Sequence, residues 1–314
     1  MDSLIFSVNA TMPIFLLTLL GMVFRRLGWM DLTLADKLNG FSFRVLIPVN
    51  LFWDMADMNL SQDWDGGFVL FCFAVTAASI AGIWALSYLW RDRSVRGEFI
   101  QASYRSSVSI VGIALIVNMY GNAGVTPLML LVVAPLYNVM AVVALTVFGA
   151  ERHSVDRNFL AQTLGDIAKN PIILGILSGT LWSLLRLPMP LILQRTIPQV
   201  GNMGTPLALL AMGAMFDIKK VTGKLRPTLA ATFIKLVALC ALGLPLAVTA
   251  GYRGQHLAVI LTMLGSATAV ASFPMARSMG HEGVITSGTV MLTTLLSAFT
   301  LTFWLWLLRS MGLI

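Results

Sequence analysis

The chain has 314 residues, of which 57% are hydrophobic and 11% charged, and its mean hydropathy is +0.83. Soluble domains carry about 25% charged residues and disorder needs low hydrophobicity with high charge, so a water-soluble globule and a disordered chain are both excluded. The formal charge of +7 would suggest nucleic acid in a soluble protein, but in a chain this apolar it reads as Lys and Arg gathered in cytoplasmic loops, and no nucleic-acid partner is expected.

Apolar stretches of about twenty residues, the length that crosses a bilayer as a helix, recur from end to end. Ten spans are predicted, near 4–24, 39–59, 67–90, 99–120, 124–149, 170–187, 191–216, 228–250, 256–279 and 284–308. Met1-Asp2-Ser3 has no basic n-region, so the first span does not read as a signal peptide. Arg25 and Arg26 follow that span and place the N-terminus outside. With that orientation, thirteen Lys and Arg fall in inside loops, whereas Arg186, Arg195, Arg253 and Arg309 fall outside. Both termini are therefore expected on the non-cytoplasmic side of the inner membrane. The longest polar stretch divides the chain into 1–150, a cytoplasmic linker 151–169, and 170–314. Cys72 and Cys240 each lie inside an apolar segment, away from any CxxC pair, and read as small core residues.

The two halves repeat. Pro13-Ile14 matches Pro171-Ile172 at an offset of 158, as do Gly21 with Gly179 and Pro48 with Pro206. Gly121-x-x-Gly124-Val125 matches Gly280-x-x-Gly283-Val284 at an offset of 159. Five spans separate equivalent points, an odd number, so the second copy is expected to be inverted. Inverted repeats mark secondary transporters, which hold their substrate between the repeats near the midplane, often on broken helices. Spans four and nine are the candidates for such breaks. Span four carries Gln101, Arg105, Ser106, Ser107, Ser109 and Gly112; span nine carries Gly265, Ser266, Thr268, Ser272 and Pro274. The competing reading is ordinary small-residue packing.

Charges inside spans are costly and usually functional. Arg105, Lys235 and Arg277 could neutralise an anionic substrate; the competing readings are snorkelling to the interface for Arg105 and anchoring of the span end for Arg277, and Arg44 reads as an anchor. Asp54 and Asp57, with Asp63 and Asp65, form an acidic group near the outer face. A solvated rim is the default reading, and Asp54 as carrier of a coupling proton or cation is the alternative. A carboxylate metal site for an intramembrane transferase would need a second acidic motif, which is absent. Thr286, Thr289, Thr293 and Ser297 share one face of span ten, which lines a cavity or bonds to a neighbouring helix, and Asn138 and Pro135 are the counterpart candidates in span five. No GxxxxGK[ST] loop and no HExxH occur. Neither an enzyme nor a cofactor or metal is expected.

Several segments together resemble the auxin efflux carrier family: the opening Pro13 to Gly28, Phe43-Arg-Val-Leu-Ile-Pro48, Asn170-Pro171 to Gly179, Pro206 to Gly213, Thr268 to Ser272 with Met275-Ala276, and Thr293 to Ser297. The resemblance covers nearly the whole chain. It implies an all-α polytopic membrane protein of ten transmembrane helices in two inverted five-helix repeats, with crossover helices 4 and 9. It implies a scaffold of spans 1, 2, 6 and 7, a moving transport domain, a homodimer through helices 2 and 7, and elevator-type carriage of an organic anion. Family members often carry Asn where this chain has Ser107, and proline at Ala114 and near Ala267, which leaves Gly112 and Gly265 to permit the breaks. The expectation is a carrier for a small mono- or dicarboxylate such as malonate or malate, or for an auxin-like acid, surrounded by membrane lipid. Its anion is expected on Arg105, Ser106, Ser107, Ser109, Gly112, Asn138, Lys235, Ser266, Thr268 and Ser272, with Asp54 for a coupling ion. A membrane sensor that binds without transport is the reading from another class.

Overall fold

The computed structural model describes residues 2–57, 65–108, 112–149, 165 and 168–314. Ser109, Asp63 and most of the linker lie outside the described residues. The described elements are helical. They run α1 (Asp2–Arg26), α2 (Leu32–Phe41), α3 (Ile47–Ala56), α4 (Gly66–Ser87), α5 (Arg93–Tyr104), α6 (Ile113–Tyr120), α7 (Thr126–Val147), α8 (Pro171–Leu184), α9 (Leu191–Asn202), α10 (Gly204–Met215), α11 (Ile218–Gly223), α12 (Leu225–Phe233), α13 (Leu239–Thr249), α14 (Gly254–Gly265), α15 (Ser272–Ser278) and α16 (Val284–Ser310). Short π segments, Ser42–Leu46 and Ile234–Ala238, join α2 to α3 and α12 to α13. Pro48 opens α3 just past the first of them. Its missing N–H and its ring displace the preceding turn, and a widened turn absorbs that displacement.

Four stretches, Gly66–Ser87, Thr126–Val147, Leu225–Thr249 and Val284–Ser310, are long and apolar enough to cross a membrane. The other predicted spans fall on α1, on the joined α2–α3, on the single helix α8, and on the pairs α5–α6, α9–α10 and α14–α15. Helix starts follow their capping residues. Asp65 accepts from Phe68 N at 2.9 Å ahead of α4, and Asn170 accepts from Ile172 N at 3.0 Å ahead of Pro171 in α8. The turns into α7 and α16 are built alike. Gly121 and Gly280 have φ of +77° and +83°, and Gly124 and Gly283 have +52° and +73°. Residues with a Cβ rarely enter this left-handed region, which explains why the glycines recur at a fixed offset.

The helices pack in two groups. In one, α3 lies on α8, α1 on α10, α10 on α2 and α9 on α3. In the other, α4 and α5 pack on α7, α13 on α14, and α16 on α12 and α5, while α1 also runs along α16. The first group is held at backbone contact. A Cβ on Gly21 would collide with the Leu210 carbonyl, and one on Gly179 with the Phe52 carbonyl. Both members of the second pair are offset by 158 residues from their equivalents in the first, so α1 meets α10 as α8 meets α3.

Candidate functional site

Two helices stop short inside the bundle. α5 ends at Tyr104 and α14 at Gly265, and the chain turns extended at Arg105 (φ −66°, ψ 127°) and Ser266 (φ −71°, ψ 161°). The freed backbone groups pair with each other. Ser107 N donates to Ala267 O at 2.9 Å, Ala269 N donates to Arg105 O at 3.3 Å, and Ser106 and Thr268 form an antiparallel bridge. An unpaired backbone group in hydrocarbon costs several kcal/mol, and here each broken segment satisfies the other. The breaks therefore form without prolines at Ala114 or Ala267. Gly112 and Gly265 act through space rather than through backbone freedom: a Cβ on Gly112 would lie 2.7 Å from a Val108 methyl, and one on Gly265 would lie 2.6 Å from Cys240 Sγ.

A cavity of about 650 Å³ opens beside this crossing, between it and α3, α7, α9 and α10. Arg105, Ser106, Ser107 and Asn138 line it on one side, and Asn50, Asp54 and Asp57 on the other. Tyr137, Asn202 and Thr205 add further polar atoms. Arg105 is 3% exposed. Its guanidinium donates to Asn138 Oδ1 at 2.8 Å, reaches Gln101 Oε1 at 3.5 Å and touches Met275 Sδ at 3.3 Å. Its Nε has no partner. Among the described residues no carboxylate pairs with Arg105, so its neighbours orient the cation without neutralising it. A buried cation with spare donors on a cavity wall has the chemistry to hydrogen-bond an anion. Across the cavity, Asp54 Oδ2 accepts from Asn50 Nδ2 at 3.1 Å.

The other described candidates, Gly112, Lys235, Ser266, Thr268 and Ser272, lie outside the cavity lining. Thr268 donates its hydroxyl to Ala102 O at 2.8 Å and its N–H to Thr293 Oγ1 at 3.0 Å. Lys235, fully buried, donates to Leu264 O near the C-terminal end of α14, where a cation complements the helix dipole. The Ser266 and Ser272 hydroxyls are buried with no protein partner, and Gly112 packs against Thr262.

Sequence reasoning passed over Tyr137, whose hydroxyl donates to Met263 O at 3.1 Å beside the Ser106 hydroxyl that donates to the same carbonyl. It also passed over Glu98. That buried carboxylate accepts from Gly283 N at 2.8 Å, Thr286 N at 3.0 Å and Thr286 Oγ1 at 3.1 Å, and so caps α16 from α5. The signal was a lone acid at the mouth of span four, at helical spacing from Gln101 and Arg105.

A family profile described as "Membrane transport protein" matches residues 6–305. The chain belongs to this family. It is the auxin efflux carrier family that the sequence motifs resemble. The family is one of membrane transporters, which agrees with the apolar helices and with a polar cavity at their broken ends. A protein of Rhizobium meliloti (strain 1021) named "Putative malonate transporter" is 26% identical over 311 residues, covering 92% of this chain and 93% of its own.

Proposed function

We propose that this chain is a secondary carrier that moves a small organic anion, a mono- or dicarboxylate of the size of malonate or malate, across the cytoplasmic membrane. The observation that carries the reading is Arg105: a buried cation, held by Asn138 and lacking a carboxylate partner among the described residues, on the wall of a cavity at two broken helices. A substrate carboxylate would take the spare guanidinium donors, with the Ser106 and Ser107 segment beside it. The malonate name of the Rhizobium relative supports the size of the anion.

In this reading the ten spans form two inverted repeats, 1–150 and 170–314, joined by 151–169. The equal offset of the Gly21–Leu210 and Gly179–Phe52 contacts supports it. The group of α1, α2–α3, α8 and α9–α10 would be the scaffold, dimeric through α2–α3 and α9–α10, and the rest would carry the anion past it. Asp54 and Asp57 line the scaffold wall of the same cavity. One arginine offsets one carboxylate, so a dicarboxylate would bring its second charge toward two aspartates. Co-transport of a proton on Asp54 removes that repulsion.

The test is uptake into proteoliposomes of radiolabelled malonate, malate and a monocarboxylate. Saturable uptake of one of them, lost in Arg105→Gln, is expected. Saturable uptake that Arg105→Gln leaves unchanged would remove Arg105 from the site.

A further inference from the structure

A second cavity shares no lining residue with the one beside the crossing. It is an apolar groove of about 570 Å³ between α4 and α7, lined by Ala81, Trp84, Ala85, Tyr88, Leu136 and Met140 among others. Ala81 and Ala85 are exposed along it. Its walls offer almost no hydrogen-bonding group, so its occupant within a bilayer is hydrocarbon.

One end of the groove is polar, and the link is direct. Tyr88, which lines the groove, carries the Arg96 guanidinium over its ring at 4.9 Å. Arg96 and Arg93 both lie 5.9 Å from the Phe148 ring. Backbone carbonyls steer the two side chains: Arg96 Nε donates to Trp90 O at 3.0 Å, and Arg93 donates to Val147 O at 3.0 Å. Each keeps further N–H groups, and neither ion-pairs with a carboxylate among the described residues. The adjacent Asp92 is engaged in capping α5, accepting from Ser94 N at 2.9 Å and Ser94 Oγ at 2.7 Å. Two arginines fixed on aromatic rings at the mouth of a hydrocarbon slot match an amphiphile with an anionic head.

We infer that the α4–α7 groove is a binding site for one anionic phospholipid, with an acyl chain along Ala81, Ala85, Leu136 and Met140 and its phosphate on Arg93 and Arg96. A phosphate accepts from the spare donors of both guanidinium groups, and the tyrosine and tryptophan rings suit the depth of the headgroup region. The inference needs the chain to sit in a membrane and is independent of what the chain carries.

The experiment is native mass spectrometry of the detergent-purified protein, titrated with phosphatidylglycerol and with phosphatidylcholine of the same chains. The wild type is expected to retain phosphatidylglycerol roughly thirtyfold better, the scale of two interfacial arginines. Arg93→Gln with Arg96→Gln should abolish that preference. Filling the groove with Ala81→Trp should lower retention of phosphatidylglycerol although both arginines remain. Ala85→Phe fills the same slot from a second exposed position and serves if Ala81→Trp does not fold, with monodispersity and helical circular dichroism as the check. Equal retention of the two lipids by the wild type overturns the inference. So does a loss confined to the arginine variant, because that pattern is charge attraction without a groove.

Discussion

Arg105 and Asn138 meet at 2.8 Å across two elements, one the extended segment after α5 and the other the middle of α7. Asn138 is itself fixed, donating from Nδ2 to Ala134 O at 2.8 Å. The guanidinium is thus held in one direction by protein contacts, and in the proposed carrier this spares the ordering cost that weakens flexible charged contacts.

Arg105→Gln should therefore weaken binding of the carried anion by about 2 kcal/mol, roughly thirtyfold, the scale of a lost charged hydrogen bond. Arg105→Lys should restore part of it, since one ammonium supplies charge without the planar fork. Substrate-induced thermal shift and uptake kinetics read both. If the two variants bind equally well, charge geometry is not what Arg105 supplies.

Asn138→Ala should leave Arg105 charged but unaimed. We expect a rise in KM larger than the fall in maximal rate, by about tenfold for a lost hydrogen bond to a charged group. Unchanged uptake kinetics would mean that Gln101 and Met275 suffice to hold the guanidinium.

Asp54→Asn should flatten the pH dependence of uptake while retaining transport at the pH where the wild type works best. A wild-type pH profile in the variant would remove Asp54 from any coupling role.

Asp92 gives a separate pH effect. Its hydrogen bond from Ser94 holds the carboxyl below its ordinary 3.8, with Lys224 adding a smaller pull. A carboxylate lowered in the folded state contributes stability above its unfolded value, and that contribution fades as pH falls through the folded one. Asp92→Ala, which removes both the carboxylate and the cap, should thus lower the melting temperature at pH 7, and the gap to wild type should narrow near pH 3. A gap that holds constant with pH would show that the ionised form is irrelevant to the cap.

Gly213→Ala and Gly82→Ala form a controlled pair. A Cβ at Gly213 collides with the Thr18 carbonyl, whereas nothing lies within 4 Å of one at Gly82. The first should destabilise by about 3 kcal/mol or more, as backbone overpacking does, and the second should stabilise by about 0.5 kcal/mol through helix propensity. Thermal unfolding in one detergent compares them, and equal melting temperatures would contradict the close packing of α1 on α10.

Much of the helical arrangement is legible in the sequence because hydrophobic length and Gly or Pro placement act locally. The stops at Tyr104 and Gly265 fall inside the polar stretches of spans four and nine for that reason. Direction is not legible. Lys235 and Arg105 are equally conspicuous as charges in apolar segments, yet one donates to the Leu264 carbonyl and the other borders the cavity. Which way a side chain points depends on helix rotation, and that is set by partners far along the chain. Glu98 escapes for the same reason, because the amides it serves lie at Gly283 and Thr286.

The contacts of Gly21 and Gly213 between α1 and α10, and of Gly175 and Gly179 between α8 and α3, leave no room for a Cβ. Backbones meshed so closely cannot slide along one another, since a shift of one residue would press a larger side chain against a carbonyl. These two seams are therefore keyed like teeth in a rack, and any large displacement within the molecule must run along other surfaces.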